Sequence, residues 1–202
     1  RGTYWAFQAL KQPALPPVKR TTWAANPIDR FVLAKLEEHQ LSPAPPATKA
    51  ELLRRVTLDV TGLPPTPEEA QAFLADTSST AYEKVVDRLL ASPHYGEQLA
   101  RDWLDVVRYA ETEGFEYDRH LPAAWRFRDY VINAFHADKP FDRFLPEQLA
   151  GDELEPGNRE LESAAVFHRL GPVRRNAGNP EIALSRNEVL TERTDIIATS
   201  ML

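Results

Sequence analysis

The sequence predicts an all-α protein, an irregular multi-helix array with an extended proline-rich N-terminal arm. Three observations predict it. Helix-start signals recur at Asn26, Thr48, Thr66 and Ser92, each an N-cap residue followed by proline or by an acid three positions on. Between these signals apolar residues return at helical spacing. No alternating run of strand length and no fixed-period repeat interrupts them.

Residues 1–25 form the arm. Pro13, Pro16 and Pro17 lack an amide donor and favour extended chain. Two readings stay open: an arm that lays Trp5, Phe7 and Trp23 on the body, or a frayed linker. Residues 26–202 form the helical domain. Asn26-Pro27 opens a helix carrying Ile28, Phe31, Val32 and Leu36, broken over 40–46. Thr48 with Glu51 makes a capping box, and Gly62 with Pro64-Pro65 ends that helix. Thr66, Pro67 and Glu69 start the next, through Phe73 and Leu74. Ser79-Thr80 leads into Tyr82, Val85, Val86, Leu89 and Leu90, and Ser92-Pro93 opens a further segment.

From Leu99, the positions Trp103, Val106, Val107 and Ala110 predict one stripe of a long helix. A helix over 124–137 places Phe127, Tyr130, Val131, Ala134 and Phe135 on one face. Asp142 is the expected cap of a short helix ending at Gly151. The stretch EPGNRELES is expected as a polar loop, followed by a helix through Ala165, Phe167 and Leu170. Residues 171–186 are expected to be irregular, and an amphipathic stretch runs from about Asn187. It ends at Leu202 without a stop signal, so the natural chain is expected to continue.

The formal net charge of -6 argues against nonspecific nucleic-acid binding and against an anionic membrane surface. No apolar run approaches the ~20 residues that span a bilayer. The first residues, RGTYWAFQALKQP, lack the apolar core of a signal peptide, so a mature or trimmed terminus is expected. There is no cysteine, hence no disulfide, thiolate metal site or covalent c-type haem within this chain.

Four segments carry a resemblance: NPIDRFVLAKLEEHQLSPAPPA, LLRRVTLDVTGLPPTPEEAQAFLAD, YEKVVDRLLASPHYGEQLARDWLDVVRYAETEGFEYD and AWRFRDYVINAFHADKPFDRFLPEQLAGDEL. Over residues 4–202 the chain resembles the planctomycete cytochrome-associated domain of unknown function, the second domain of the PSCyt series. The resemblance implies an exported, periplasmic or cell-surface protein. Its expected partners are adjacent cytochrome-like and C-terminal domains of the same polypeptide. Haem c is then expected only in neighbouring segments, because the family pattern reaches its haem-attachment motif after a stretch like DIIATSML. This chain departs from the pattern at Gln98, Leu99, Asp102 and Glu111.

The densest polar cluster holds Asp105, Arg108, Glu111, Glu113, Glu116 and Asp118. Helical spacing puts Asp105, Arg108 and Glu111 or Thr112 on one face, and Gly114 allows a turn that folds Glu116 and Asp118 back. Three chemistries stay open. Arg108, Arg119, Arg126 and Arg128 could neutralise the acids as ion pairs. Glu111, Glu113, Glu116 and Asp118 could hold Ca²⁺, although the spacing is not that of an EF-hand. Asp105, Glu113, Glu116 and Asp118 are candidate catalytic carboxylates, since glycoside hydrolysis needs an acid and a base on either side of one bond.

Trp103, Tyr109, Phe115, Tyr117 and Trp125 lie near the cluster in sequence, as core or as a sugar-binding surface. A second constellation joins Trp125, Arg126, Arg128 and Asp129 to Gln148, Gly151 and Asp152. Its arginines could hold an anion, with Trp125 beside them, or pair structurally with neighbouring acids. The five histidines show no zinc-binding pattern, and the chain has neither a nucleophile elbow nor a glycine-rich phosphate loop. Two functions remain: a scaffold or recognition module beside a haem domain, with polysaccharide as a candidate partner, or a carbohydrate-active enzymatic domain.

Overall fold

The computed structural model describes Tyr4 and residues 8–114, 118–172 and 182–201. Among these residues the regular elements are nine α-helices and one 3-10 segment, and the only β pairing is an isolated antiparallel bridge between Thr112 and His120. The chain divides into two compact units, Arg1–Ala47 and Thr48–Leu202.

In the first unit, α1 (Pro27–Glu38) begins with a full capping box. The Asn26 side chain accepts the Asp29 amide, and the Asp29 carboxylate accepts the amides of Ala25 and Asn26. Glu37 accepts the Lys19 and Arg20 amides at 3.0 and 3.2 Å, which ties the proline-rich segment to the last turn of α1. Ile28, Phe31 and Val32 are exposed, while Leu33 is fully buried. Trp23 is 41% exposed, and Trp5 and Phe7 lie outside the described residues.

The second unit starts with α2 (Lys49–Thr61), α3 (Pro67–Ala75) and α4 (Ala81–Leu90). Thr48 with Glu51 and Thr66 with Glu69 form the expected capping boxes, and Gly62 closes α2 in the left-handed conformation. Thr80 precedes α4 without a side-chain cap. Leu53, Phe73, Ala81, Val85 and Leu89 make a small core among these helices.

The larger core lies among α5 (Pro93–Val106), α6 (Trp125–His136), α7 (Phe141–Leu154), α8 (Arg159–Ala164), the 3-10 segment Ala165–Arg169 and α9 (Ile182–Met201). Its centre is aromatic. Phe144 lies 5.0 Å from Trp103, 5.4 Å from Phe135 and 6.0 Å from Tyr130, centroid to centroid. Phe127 and Val131 are fully buried, each contributing about 1.5–3 kcal/mol of hydrophobic stabilisation. α5 and α6 approach closely at Gly96. A Cβ there would stand 2.8 Å from the Ile132 carbonyl oxygen and 2.9 Å from His136 Cβ.

Four sequence expectations are corrected. The helix through Trp103 stops at Val106. Arg108 takes φ +55°, the Arg108 amide donates to the Asp105 carbonyl, and the Tyr109 amide donates to the Leu104 carbonyl. That pair of bonds is a Schellman ending with arginine in the place glycine usually fills. It turns Val107 fully inward and leaves Val106 exposed. Second, Asp142 is not a cap. α7 starts after Pro140 and runs to Leu154, with a non-helical Ala150. Third, RELES is helical, because Asn158 accepts the Glu160 and Leu161 amides and starts α8. Fourth, the stretch expected to be irregular is helical from Ile182 onward, while residues 173–181 lie outside the described ones.

Among the described residues, no helix is long and apolar enough to cross a membrane. Gly96→Ala drives a methyl into backbone of α6 and is expected to cost about 1–3 kcal/mol, as overpacking does. Urea unfolding of both proteins measures it, and an unchanged midpoint would mean that α5 and α6 can separate at no cost.

Candidate functional site

After α5 the chain runs as a short hairpin. Leu121 donates to the Glu111 carbonyl at 2.7 Å, Glu113 donates to the Arg119 carbonyl at 2.9 Å, and Thr112 bridges His120. Gly114 takes φ +68°, a conformation a side chain resists, and the residues of the turn expected after it, 115–117, lie outside the described ones. The Asp118 amide donates to the Gly114 carbonyl at 3.2 Å.

This path separates the acids that the sequence groups together. Asp105 is exposed on the last turn of α5, and Asp118 is exposed on the hairpin. Glu116 lies outside the described residues. Glu111 turns to Arg128, whose Nη1 donates to it at 2.8 Å, and to the Tyr109 hydroxyl, which donates at 3.1 Å. Glu113 is buried in the hairpin. The expected shared face of Asp105, Arg108 and Glu111 does not form, because α5 ends before Arg108. Among the described residues, no group of three or more His, Cys, Asp or Glu side chains converges as a metal would require.

The arginines divide. Arg128 also pairs with Asp129 at 3.0 Å. Burial works against its charge, but the Asp129 hydrogen bond and the surrounding negative charge raise its pKa. The Tyr109 hydroxyl is pushed up to about 12, first by burial and then by its bond to Glu111. Arg108 pairs with Glu192 of α9, and that bond, with the nearby Asp195 charge, raises its pKa. Arg126 lies over the Trp125 indole, 5.2 Å from the ring centroid.

Arg108, Glu113 and Tyr109 border a cavity of about 430 Å³. Its wall is mainly apolar, with Leu121, Ala124, Val166 and Leu170 among the lining residues. Thr112, Arg169 from the end of the 3-10 segment and Arg193 from α9 are among its other polar lining residues. Sequence reasoning missed the two arginines. No local signal marks them, because they enter from segments far along the chain from the hairpin.

Of the second constellation, Gln148 is a core residue. Gln148 is fully buried, accepts the Trp103 indole N–H at 3.0 Å and donates to the Phe144 carbonyl at 3.2 Å. Beside it lies a network that the sequence reading also missed. Glu147, 4% exposed, accepts from the Tyr130 hydroxyl at 2.8 Å and from Lys139 Nζ at 2.5 Å. Burial raises the Glu147 pKa, but the bonds from Lys139 and Tyr130 and the charges of Lys139 and Arg143 outweigh it, leaving the carboxyl below its ordinary value. The available signal was a glutamate beside Phe144 and Gln148, in the buried register of α7.

Fold and site together define an all-α helical domain with an apolar, arginine-bordered cleft. Residues 27–202 match the model of the PSCyt2 family, described as a protein of unknown function (DUF1549), and the chain belongs to that family. No curated protein and no solved structure matches the chain.

Two predictions follow from these networks. Glu147 has a depressed pKa when folded, so its contribution to stability is complete above its ordinary value of 4.5 and is lost as pH falls through the folded pKa. Glu147→Gln should therefore flatten the acid side of a melting-temperature profile below that pH. Near neutrality, Glu147→Ala should cost about 3 kcal/mol, because it leaves the mostly buried Lys139 with only its longer 3.6 Å pair to Glu160. An unaltered acid limb in Glu147→Gln would remove Glu147 from the account. Arg128→Ala should cost less than about 1 kcal/mol, because its pairs are exposed. If arginine supplies the counter-charge, as Arg128 does for Glu111, millimolar Ca²⁺ should leave the melting temperature unchanged. A calcium-dependent rise abolished by Glu113→Gln would instead establish metal binding.

Proposed function

We propose that the chain is a non-catalytic recognition module, a scaffold with one ligand cleft, serving a larger exported, haem-associated protein. The observation that carries the recognition role is the cleft itself. Its size falls in the usual small-ligand range of roughly 300–1,000 Å³. A mainly apolar wall with a few polar groups is also the usual composition of such a site. The scaffold role draws on the helical core around Phe144 and on the pairing of Glu111 with Arg128 rather than with another acid. The exported setting, the neighbouring cytochrome-like and C-terminal domains and the absence of covalent haem within this segment rest on the family resemblance and on the lack of cysteine.

One observation favours the enzymatic alternative. Glu113 is a buried carboxylate that borders the cleft, as a general acid would. It lacks a second cleft carboxylate among the described lining residues, and acid–base glycoside hydrolysis uses two.

Ala123 borders the cleft and is exposed, so Ala123→Trp should fill the mouth without disturbing the core. A thermal-shift screen of small molecules and oligosaccharides should find compounds that raise the melting temperature of the parent chain but not of Ala123→Trp. Compounds that stabilise both equally would place recognition elsewhere. Turnover of chromogenic glycosides that disappears in Glu113→Gln would replace the recognition reading with the enzymatic one.

A further inference from the structure

We infer that the N-terminal arm and the outer face of α1 form a docking surface for an anionic lipid headgroup layer, bound through Lys11, Lys19, Arg20 and Arg30 and through exposed apolar side chains. This surface lies in the first unit and is independent of the cleft.

Charge is unevenly divided along the chain. The formal net charge of -6 conceals a stretch, residues 1–28, with four basic side chains and no acid; all 30 Asp and Glu residues lie from Asp29 onward. The three acids of the first unit are committed locally. Asp29 accepts the Ala25 and Asn26 amides, Glu37 accepts the Lys19 and Arg20 amides, and Glu38 pairs with Lys35 at 2.7 Å. Lys11, Lys19, Arg20 and Arg30 have no side-chain ion pair among the described residues. The first unit therefore offers uncompensated positive charge to an outside surface.

Apolar exposure concentrates in the same place. Eight of the twenty large apolar side chains exposed among the described residues fall in the first unit, which holds under a quarter of the chain. Leu10, fully exposed, precedes Lys11, and Trp23 follows Arg20 by three positions. On α1, Ile28, Phe31, Val32 and Lys35 keep the i, i+3, i+4, i+7 spacing of one helix face, and Leu33 and Glu37 lie on the opposite one. Glu37 holds the arm, so the arm is tied to the side of α1 away from the exposed apolar stripe.

This combination selects a lipid surface. Indole and aliphatic side chains enter the headgroup boundary while basic neighbours stay with the phosphates. Nucleic acid would use the charge but stacks on aromatic rings, and here most of the exposed apolar side chains are aliphatic. A protein groove reads one helix stripe, whereas Leu10, Leu15 and Trp23 lie outside the helix. The acidic remainder of the chain is repelled by the same lipids, so binding is reversible and salt-sensitive.

The test sediments the full 202-residue chain with vesicles of two parts phosphatidylcholine to one part phosphatidylglycerol. Binding should exceed that to phosphatidylcholine alone and should fall as salt is raised. Lys19→Gln with Arg20→Gln keeps both amides on Glu37 and should weaken binding by about twentyfold, at about fivefold per charge. Phe31→Ser, at an exposed position, should weaken it by about tenfold through lost apolar burial. Arg54→Gln with Arg55→Gln, the same charge loss at exposed positions of α2, should bind like the parent. Circular dichroism and melting temperature establish that each variant is folded.

Failure to bind the anionic vesicles at low salt would overturn the inference, as would equal binding to phosphatidylcholine alone. An equal loss in the α2 variant would reduce the effect to net charge and overturn the arm's role. Sedimentation velocity without lipid that shows a dimer, abolished by Phe31→Ser, would assign the α1 face to a second copy and overturn its lipid role.

Discussion

A carboxylate taken out of water inside a helical core must be neutralised where it stands, and Glu147 imposes that constraint on the second unit. Its counter-charge comes from Lys139, in the link between α6 and α7, and its second hydrogen bond comes from Tyr130 on α6. Both bonds act across the same helix pair, so they bear on how α6 and α7 cross. Phe144, one turn before Glu147, then meets Tyr130 and Trp103, and Gln148, one residue after it, receives the Trp103 indole N–H. A buried ion pair of this kind adds little net stability over a well-packed apolar substitute, but breaking it is costly. Its bonds join α7 to α6 and to the link between them, one residue from the Trp103–Gln148 bond that reaches α5, and so mark one register of these helices.

That register has consequences at the cleft. α6 packs on α5 through Gly96, and α5 ends in a turn that needs a left-handed residue at Arg108. The turn buries Val107 and starts the hairpin, with Arg108 held to α9 through Glu192. The cleft is therefore bordered by the end of one helix, a short hairpin, the start of α6, the end of the 3-10 segment and one residue of α9. Its polar groups are side chains whose own elements are fixed by the aromatic core.

The acidic segment shows why charge density in a sequence is a weak guide to a site. Five acids fall within fourteen positions from Asp105 to Asp118. A continuous helix would have stacked Asp105, Arg108 and Glu111. The helix instead stops, and the four described acids part: Asp105 and Asp118 to solvent, Glu111 to Arg128, and Glu113 into the hairpin. The stop was hard to see because arginine occupies the position at which glycine would normally announce it. Asp138 ends α6 in the same way, again with positive φ and no glycine.

The sequence by itself determined the helical class, the family and most helix starts, because capping is local chemistry. Asn26 with Asp29, Thr48 with Glu51 and Thr66 with Glu69 bond across three positions and need no distant partner. Apolar spacing likewise identified the buried face of α6, where Phe127, Tyr130, Val131 and Ala134 are all buried. Tertiary structure alone decided where α5 ends, since burial of Val107 outweighs the local preference against a left-handed arginine. It also decided that Glu147 could be buried, since its partners lie 8 and 17 positions away on other elements. The cleft belongs wholly to that second category. Arg169 and Arg193 meet the Arg108 hairpin only after the core has closed, and no periodicity or motif records a contact that the packing of separate helices creates.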